Sequence, residues 1–250
     1  MNETIEQLLH HTSKRKYTEQ KIEEPIVEQI LLATQQSPTW INGQQVSIIR
    51  VIDVEKRNKL QELSGNQVFI GSAAEFWVFC FDFYRAAKAC EMEGKAFAIA
   101  ENIDALLVGT TDVGIALGTA VIAAESFGLG TVAIGGVRKD PEAVIELLEL
   151  PPYVYPISGL CIGYPDEHPE VKPRLPLDAV VFENKYNTDI TPAIEAYNDI
   201  HSDYVSKRTN GQSTANWTSG VAAFYSEPFY RNNGYKDAYL ALEKQGFKMK

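Results

Sequence analysis

This chain has few cysteines, few histidines and an excess of acidic over basic residues. Its three cysteines, Cys80, Cys90 and Cys161, have no metal-like spacing, and its four histidines are too scattered for a metal cluster, so no metal site is expected. An odd number of cysteines, with a polar N-terminus that has no secretory apolar core, favours a reducing, cytoplasmic location. The net charge of -10 argues against nucleic acid or an anionic membrane as a partner.

Several nucleotide-binding and catalytic patterns are also missing. There is no Gly-x-Gly-x-x-Gly after a first strand, so a Rossmann nucleotide site is not expected. The run Gly128-Leu129-Gly130 lacks the third glycine and precedes a predicted strand rather than a helix. No catalytic triad is recognisable, and no uninterrupted apolar run of about 20 residues predicts a membrane span. Any nucleotide phosphate would therefore be held by side chains.

The pattern of apolar residues predicts one α+β domain. Hydrophobic residues make up 45% of the 250 residues, which is enough for a sizeable core. Helical and strand patterns mix without a regular βαβ rhythm, which favours the α+β class. Residues 75–83 are apolar on both faces, as in a central strand. Residues 100–127 form a helix that is apolar almost all round, as in a helix buried in a core or against a partner subunit.

The remaining elements are shorter. Helices are also predicted at residues 3–11, from 25, at 55–63, 141–148, 190–205 and 236–244, strands at 46–52, 131–134 and 155–162, and a small polar loop at 206–220. Residues 1–165 are interpreted as the core, and residues 166–250 as an extension of the same domain.

Two short segments are basic against this acidic background. The first, residues 11–17, places a histidine, two lysines and an arginine around the hydroxyl of Ser13 just after a predicted helix. The second contains Lys172 and Arg174 between prolines, and in an extended chain both would face one side. The first could be an ordinary solvated basic face, since cations favour helix C-terminal ends, and the second a surface proline turn with two charges. Their combination favours an anion site, because phosphate is bound by Arg, ammonium and hydroxyl donors.

Other residues allow a structural and a functional interpretation. The pair Gly135-Gly136 ends a β-rich run, where glycines could form a tight turn or let the backbone approach a flat ligand. Glu75 is interpreted as a paired structural carboxylate rather than a base, and Trp77 as a core residue. Trp40, in a polar loop, is the better candidate for a ligand contact.

Five motifs occur in order along the chain. They are His-x-Ser-x-Arg (11–15), Ala-Ala-Glu-Phe-Trp-Val-Phe (73–79), Ala-Ala-Glu-Ser-Phe-Gly-Leu-Gly (123–130), Ile-Gly-Gly-Val-Arg (134–138) and Lys-Pro-Arg-Leu-Pro (172–176). With them the chain resembles the flavin-dependent nitroreductase superfamily, and within it the NADPH-preferring flavin reductases and oxygen-insensitive nitroreductases. The resemblance is loose beyond about residue 185. It implies a mixed, mostly antiparallel central sheet flanked by helices, in an intertwined homodimer with FMN at the interface.

The resemblance also implies which residues hold FMN. It assigns the phosphate and ribityl end to four side chains: His11, Ser13, Lys172 and Arg174. It places Arg15 at N1 and O2 of the ring, where a guanidinium would stabilise the anionic reduced flavin and raise its potential. Gln67 is expected at the same polar edge. Ile134, Gly135 and Gly136 should line the ring, with a backbone N–H of the glycine pair reaching N5.

The loop at residues 37–44 departs from the family pattern. In the family this loop carries several serines and reaches the FMN of the other subunit. Here Thr39-Trp40-Ile41 replaces them, so Thr39 is left as the one expected hydroxyl contact.

The implied reaction is ping-pong hydride transfer from NADPH through FMN to nitro compounds, quinones or free flavin. A non-catalytic flavin-binding protein on the same fold is the alternative.

The resemblance also bears on the choice of nicotinamide. The family binds the NADPH 2′-phosphate with two arginines; Arg208 matches the first, and neutral Ser213 occupies the second position. Lys207 could compensate as a point charge. NADPH is therefore expected to be preferred, with NADH usable.

Overall fold

The computed structural model describes residues 2–227, 229 and 234–248. The chain divides into two compact units, one formed by Met1–Pro169 with Tyr235–Lys250 and the other by Glu170–Gly234. The first unit contains a sheet with helices around it, and the second contains helices, which confirms the predicted α+β class.

The sheet of the first unit has four antiparallel strands. They are β1 (Val46–Arg50), β2 (Glu75–Asp82), β3 (Gly130–Ile134) and β4 (Val154–Gly163), in the order β1-β2-β4-β3. Strand β2 is central and is buried along its length except at Glu75, as its apolar sequence predicts. All three pairings are antiparallel, so the mixed character implied by the resemblance does not arise among the described strands.

Ten α-helices complete the described part of the chain. The first unit contains α1 (Glu3–Leu9), α2 (Glu24–Gln35), α3 (Val54–Leu63), α4 (Phe69–Ser72), α5 (Tyr84–Met92), α6 (Asp104–Ser126), α7 (Pro141–Leu147) and α10 (Ala238–Lys244), and the second contains α8 (Thr191–Arg208) and α9 (Trp217–Tyr225). Helices α3 and α7 begin at aspartates whose side chains accept a backbone N–H, the usual stabilisation of unpaired donors at a helix start. Short 3-10 turns lie at residues 40–42, 99–101, 135–138 and 177–179.

Alternation along β2 divides the core into two clusters. Trp77, Phe79 and Phe81 lie on one face of the sheet with the buried face of α6, whereas Phe76 and Val78 lie on the other with residues of α3 and α7. Successive side chains of a strand point to opposite faces, so a strand covered on both sides must be apolar throughout. Trp77 is fully buried, which confirms its interpretation as a core residue.

Helix α6 is less completely covered than its sequence suggests. Its buried residues, Ala105, Gly109, Val113, Ala116 and Ala120, recur every three or four positions and pack towards α2 and the sheet. Leu107 and Ile115 on another face are exposed. By length and composition alone this helix could cross a membrane, a property that core helices share.

The predicted loop at residues 206–220 is wrong at both ends. Helix α8 continues through Lys207 and Arg208, where cations in the last turn are favoured by the negative end of the helix dipole. The Arg208 guanidinium also lies 5.7 Å from the ring centre of Tyr204, one turn earlier. Helix α9 begins at Trp217 because the side chain of Asn216 caps it, accepting the Ser219 N–H at 2.9 Å. The connection is therefore residues 209–216.

Candidate functional site

The first basic segment is fixed along the edge strand β3. The Lys14 N–H donates to the Thr131 carbonyl at 2.8 Å, and the Tyr17 hydroxyl donates to the Lys14 carbonyl at 2.6 Å. Gly130 permits this approach, since a Cβ there would lie 2.6 Å from Cγ of Lys14. The segment is therefore part of the packed structure rather than a freely solvated tail.

His11 is held by a carboxylate that sequence reasoning did not assign to the site. Its Nδ1 lies 2.7 Å from Oε1 of Glu125, at the end of α6. The same oxygen accepts the hydroxyl of Thr131, on β3, at 2.9 Å. Glu125 stands inside the Ala-Ala-Glu-Ser-Phe-Gly-Leu-Gly motif, which was the available signal. Ser13 is half-buried between two anchors, the His11 side chain and the Lys14 backbone.

Arg15 has a fixed backbone and an unengaged guanidinium. The N–H groups of Arg15 and Lys16 both donate to Oε1 of Glu167. The Arg15 side chain is exposed and makes no hydrogen bond or ion pair with the residues that the structure describes. The backbone of Arg15 is therefore held in place, and the N–H groups of its guanidinium remain available to a ligand.

Gln67 and the glycine pair meet at the other end of β3. A Cβ on Gly136 would lie 2.4 Å from the Ser64 carbonyl oxygen and 2.6 Å from Nε2 of Gln67. Nε2 of Gln67 donates to that same carbonyl at 2.8 Å. Gly135 is open, because its nearest neighbour would be Arg138 at 3.6 Å. Gly136 is thus required for packing, whereas Gly135 presents backbone to solvent.

The prediction for Ile134 needs qualification. Its side chain is 1% exposed and lies in the core, so only its backbone could line a ligand. Alternation places the neighbouring Ala133 side chain on the exposed face of β3. Thr131, on the same side of the strand as Ala133, is fully buried, so of these two residues only Ala133 is exposed.

Strand β3 therefore separates two clusters of expected flavin ligands. His11 and Ser13 lie near Thr131, and Gln67 and Gly136 lie just beyond Ile134. Thr131 and Gly135 are four residues apart, about 13 Å at the rise of a strand. An elongated ligand with an anion at one end and a flat ring at the other fits this spacing.

The loop that contains Thr39 is internally bonded and strained. The Thr39 hydroxyl accepts the Gln44 N–H at 3.0 Å, and the Trp40 N–H donates to the buried Asp112 carboxylate at 3.2 Å. Burial raises the pKa of Asp112, partly offset by that hydrogen bond. Ile41 has a φ of 50°, a left-handed conformation that is rare for a β-branched residue. Trp40 is half exposed, which keeps it available for contacts.

A cavity of about 570 Å³ lies beside this loop. Its lining includes Leu31, Leu32, Thr39, Gln44, Ser47 and Arg85. Thr39 is the one expected flavin ligand among its lining residues, so the cavity is separate from the clusters along β3.

Glu75 is a structural carboxylate, as the sequence interpretation holds. It accepts two hydrogen bonds from Arg50, at 2.9 and 3.1 Å, and one from the Trp77 indole at 2.7 Å. A carboxylate with these partners is not free to serve as a base.

The second unit carries the remaining expected ligands. A hydrogen bond from Tyr197 holds the segment that contains Lys172 and Arg174. The Tyr197 hydroxyl donates to the Pro173 carbonyl at 2.7 Å. Arg174 is exposed and donates to the Lys172 carbonyl at 3.2 Å. Lys207 and Arg208 are exposed in the last turn of α8.

The fold is α+β, with hydrogen-bond donors clustered at the two ends of β3. A family model described as "Nitroreductase family" matches residues 8–164, and one described as "Nitroreductase family, C-terminal domain" matches residues 172–250. The chain belongs to the nitroreductase family, which confirms the resemblance.

Individual relatives match over nearly the full length. The chain is 46% identical to an FMN reductase [NAD(P)H] of Bacillus subtilis, covering 100% of this chain and 99% of the relative. It is 41% identical to an NADPH-flavin oxidoreductase of Vibrio harveyi, covering 88% and 90%. The solved structure of B. megaterium NfrA2 superposes with a TM-score of 0.95 at 44% identity, covering 100% of both chains.

Proposed function

We propose that this protein is an FMN-dependent NAD(P)H oxidoreductase that reduces nitro compounds, quinones or free flavin in a ping-pong cycle. The observation that carries the proposal is the pair of ligand clusters at the two ends of β3, in a chain similar over its full length to named FMN reductases. FMN, when bound, supplies the chemistry by taking hydride at N5 from the nicotinamide and passing it to the acceptor.

The residues present suit FMN. His11, Ser13 and Arg15 can all donate hydrogen bonds, as a phosphate and the electron-rich edge of a flavin require. Gly135 leaves room for a ring to approach the backbone, which a side chain would block. We assign His11 and Ser13 to the phosphate and ribityl end, with Lys172 and Arg174 as further phosphate ligands by their donor chemistry.

The ring edge is the second part of the proposal. Arg15 is assigned to N1 and O2, where its cation stabilises the negative charge of reduced flavin. Gln67 donates at the same edge, and an N–H of Gly135 or Gly136 binds N5, with the backbone of Ile134 beside it. Thr39 is assigned to the FMN of the other subunit; its hydroxyl accepts the Gln44 N–H, and its own O–H remains to donate to that ligand.

The nicotinamide is selected through its 2′-phosphate. Arg208 is the proposed ligand, with Lys207 as a weaker point charge beside it. Binding would compete with the contact between Arg208 and Tyr204. Arg208 favours NADPH over NADH. Because the neutral Ser213 supplies no second cation, this preference is incomplete and NADH is also used.

The assembly is proposed as a cytoplasmic homodimer. The exposed apolar residues of α6, Leu107 and Ile115, support a second subunit that covers them. The low cysteine content supports a reducing compartment.

Steady-state kinetics with a panel of acceptors tests the proposal. Purified protein should be yellow, and double-reciprocal plots with NADPH and a nitro compound, a quinone or free FMN should give parallel lines. A yellow protein that turns over none of these acceptors would instead be a non-catalytic flavin-binding protein. A colourless protein that binds no flavin would contradict both.

A further inference from the structure

A hydrogen-bonded network joins His11, an expected flavin ligand, to two residues outside the expected set, Glu125 and Thr131. Glu125 is 14% exposed at its side chain and Thr131 is fully buried, so the carboxylate is held largely away from water. Thr131 donates its hydroxyl to Glu125 and its carbonyl accepts the Lys14 N–H. One strand residue thus fixes both the carboxylate and the backbone that follows His11.

The contact determines which nitrogen of His11 faces outward. An ionised carboxylate only accepts hydrogen bonds, so Nδ1 carries the proton in this pair. Nε2 has no hydrogen bond within the described residues, and the ring is about one-third exposed. When the ring carries a proton on both nitrogens, Nδ1–H donates to Glu125 and Nε2–H can donate to an anion.

We propose that Glu125 is a positioning residue for the cofactor phosphate, which it serves through His11. It fixes the ring and compensates its charge, so that Nε2–H donates to the phosphate. This inference rests on the proposed FMN site. Glu125 itself touches neither the phosphate nor the reacting atoms.

Whether removal of the Glu125 charge weakens or strengthens FMN binding distinguishes a role through His11 from a direct charge interaction with the phosphate. Removing a carboxylate close to a phosphate should strengthen binding if only the two charges interact, because like charges repel. If Glu125 acts through His11, removing its charge should weaken binding instead. A charge-assisted hydrogen bond is roughly twice as strong as a neutral one, so Glu125→Gln should raise the FMN dissociation constant about tenfold.

Riboflavin provides the control for a purely structural role, because it has the ring and ribityl chain but no phosphate. Dissociation constants of FMN and riboflavin would be measured by flavin fluorescence for wild type, Glu125→Gln, His11→Gln and the double variant. Glu149→Gln is the control, since that side chain is 82% exposed and its ion pair among the described residues is with Lys56. We expect the tenfold loss for FMN alone, and none from Glu125→Gln in the His11→Gln background.

Nitrogen-15 NMR of the four histidines supplies a readout that does not depend on the variant folding. In wild type bound to FMN, His11 should carry a proton on both nitrogens. Three results would overturn the inference. They are a His11 ring protonated at Nε2 alone, an equal loss of affinity for FMN and riboflavin in Glu125→Gln, and FMN binding by Glu125→Gln that is unchanged or tighter. Failure of the wild type to bind FMN would overturn the proposed function as well.

Discussion

Replacing Arg15 with alanine tests whether a cation at the ring edge sets the flavin potential. The guanidinium makes no hydrogen bond or ion pair across the described residues, while the backbone N–H donates to Glu167. The substitution therefore deletes a charge without leaving a protein group unpaired or releasing the segment. Its effect on folding stability should be within about 0.5 kcal/mol, as for most exposed positions.

The effect on the potential can be estimated from the lost interaction. A hydrogen bond to a charged group contributes about 1.5–3 kcal/mol. The Arg15 hydrogen bond would favour the reduced, anionic ring, so its loss lowers the reduction potential. For a two-electron couple, about 1.4 kcal/mol corresponds to about 30 mV. Arg15→Ala should therefore lower the FMN midpoint potential by about 30–65 mV and weaken FMN binding.

Spectroelectrochemistry would measure this shift, with Lys16→Ala as the matched control. Lys16 is the adjacent exposed cation, and its N–H binds the same Glu167 oxygen at 3.2 Å. Its removal should change the potential little, because solvent and salt screen an exposed charge that does not touch the ring. An unchanged potential in Arg15→Ala, or equal shifts in both variants, would remove Arg15 from the ring edge.

Three further predictions follow from other parts of the chain. Arg208→Ala should reduce the preference of kcat/KM for NADPH over NADH about ten- to a hundredfold, with a smaller loss for Lys207→Ala; an unchanged ratio would exclude Arg208 as the 2′-phosphate ligand. Sedimentation at high dilution should find a flavin-loaded dimer, and a stable flavin-loaded monomer would contradict the proposed interface. Gly136→Ala should lower Tm by several degrees, since its Cβ would overlap the Ser64 carbonyl, whereas Gly135→Ala should fold normally and lose FMN affinity; equal melting temperatures would refute the assigned packing.

The sequence predicted those features that depend on local pattern. Strand β2 was recognisable because a doubly covered strand must be apolar at consecutive positions, and Glu75 and Trp77 were interpreted correctly from that context. The glycines at 135 and 136 marked the end of β3. These signals need only neighbouring residues, and they located strand β2 and the end of β3.

Contacts between segments far apart in the sequence could not be predicted from neighbouring residues. Glu125 lies 114 residues from His11, and Asp112 lies 72 residues from Trp40, so neither pairing has a local signature. The end of α8 was misplaced because Lys207 and Arg208 suit both a helix terminus and a polar loop. The burial of Ile134 follows from the register of β3 with β4, which only the folded sheet defines.

Anaerobic titration with NADPH directly tests whether bound FMN carries hydride from NADPH to an acceptor. Purified protein loaded with FMN would be mixed with increasing NADPH while the visible flavin absorption is followed, and a nitro compound would then be added. We expect complete bleaching at about one equivalent of NADPH per flavin and full return of the oxidised spectrum with the acceptor, because hydride transfer occurs in two steps. A flavin that stays oxidised under excess NADPH and NADH would contradict it.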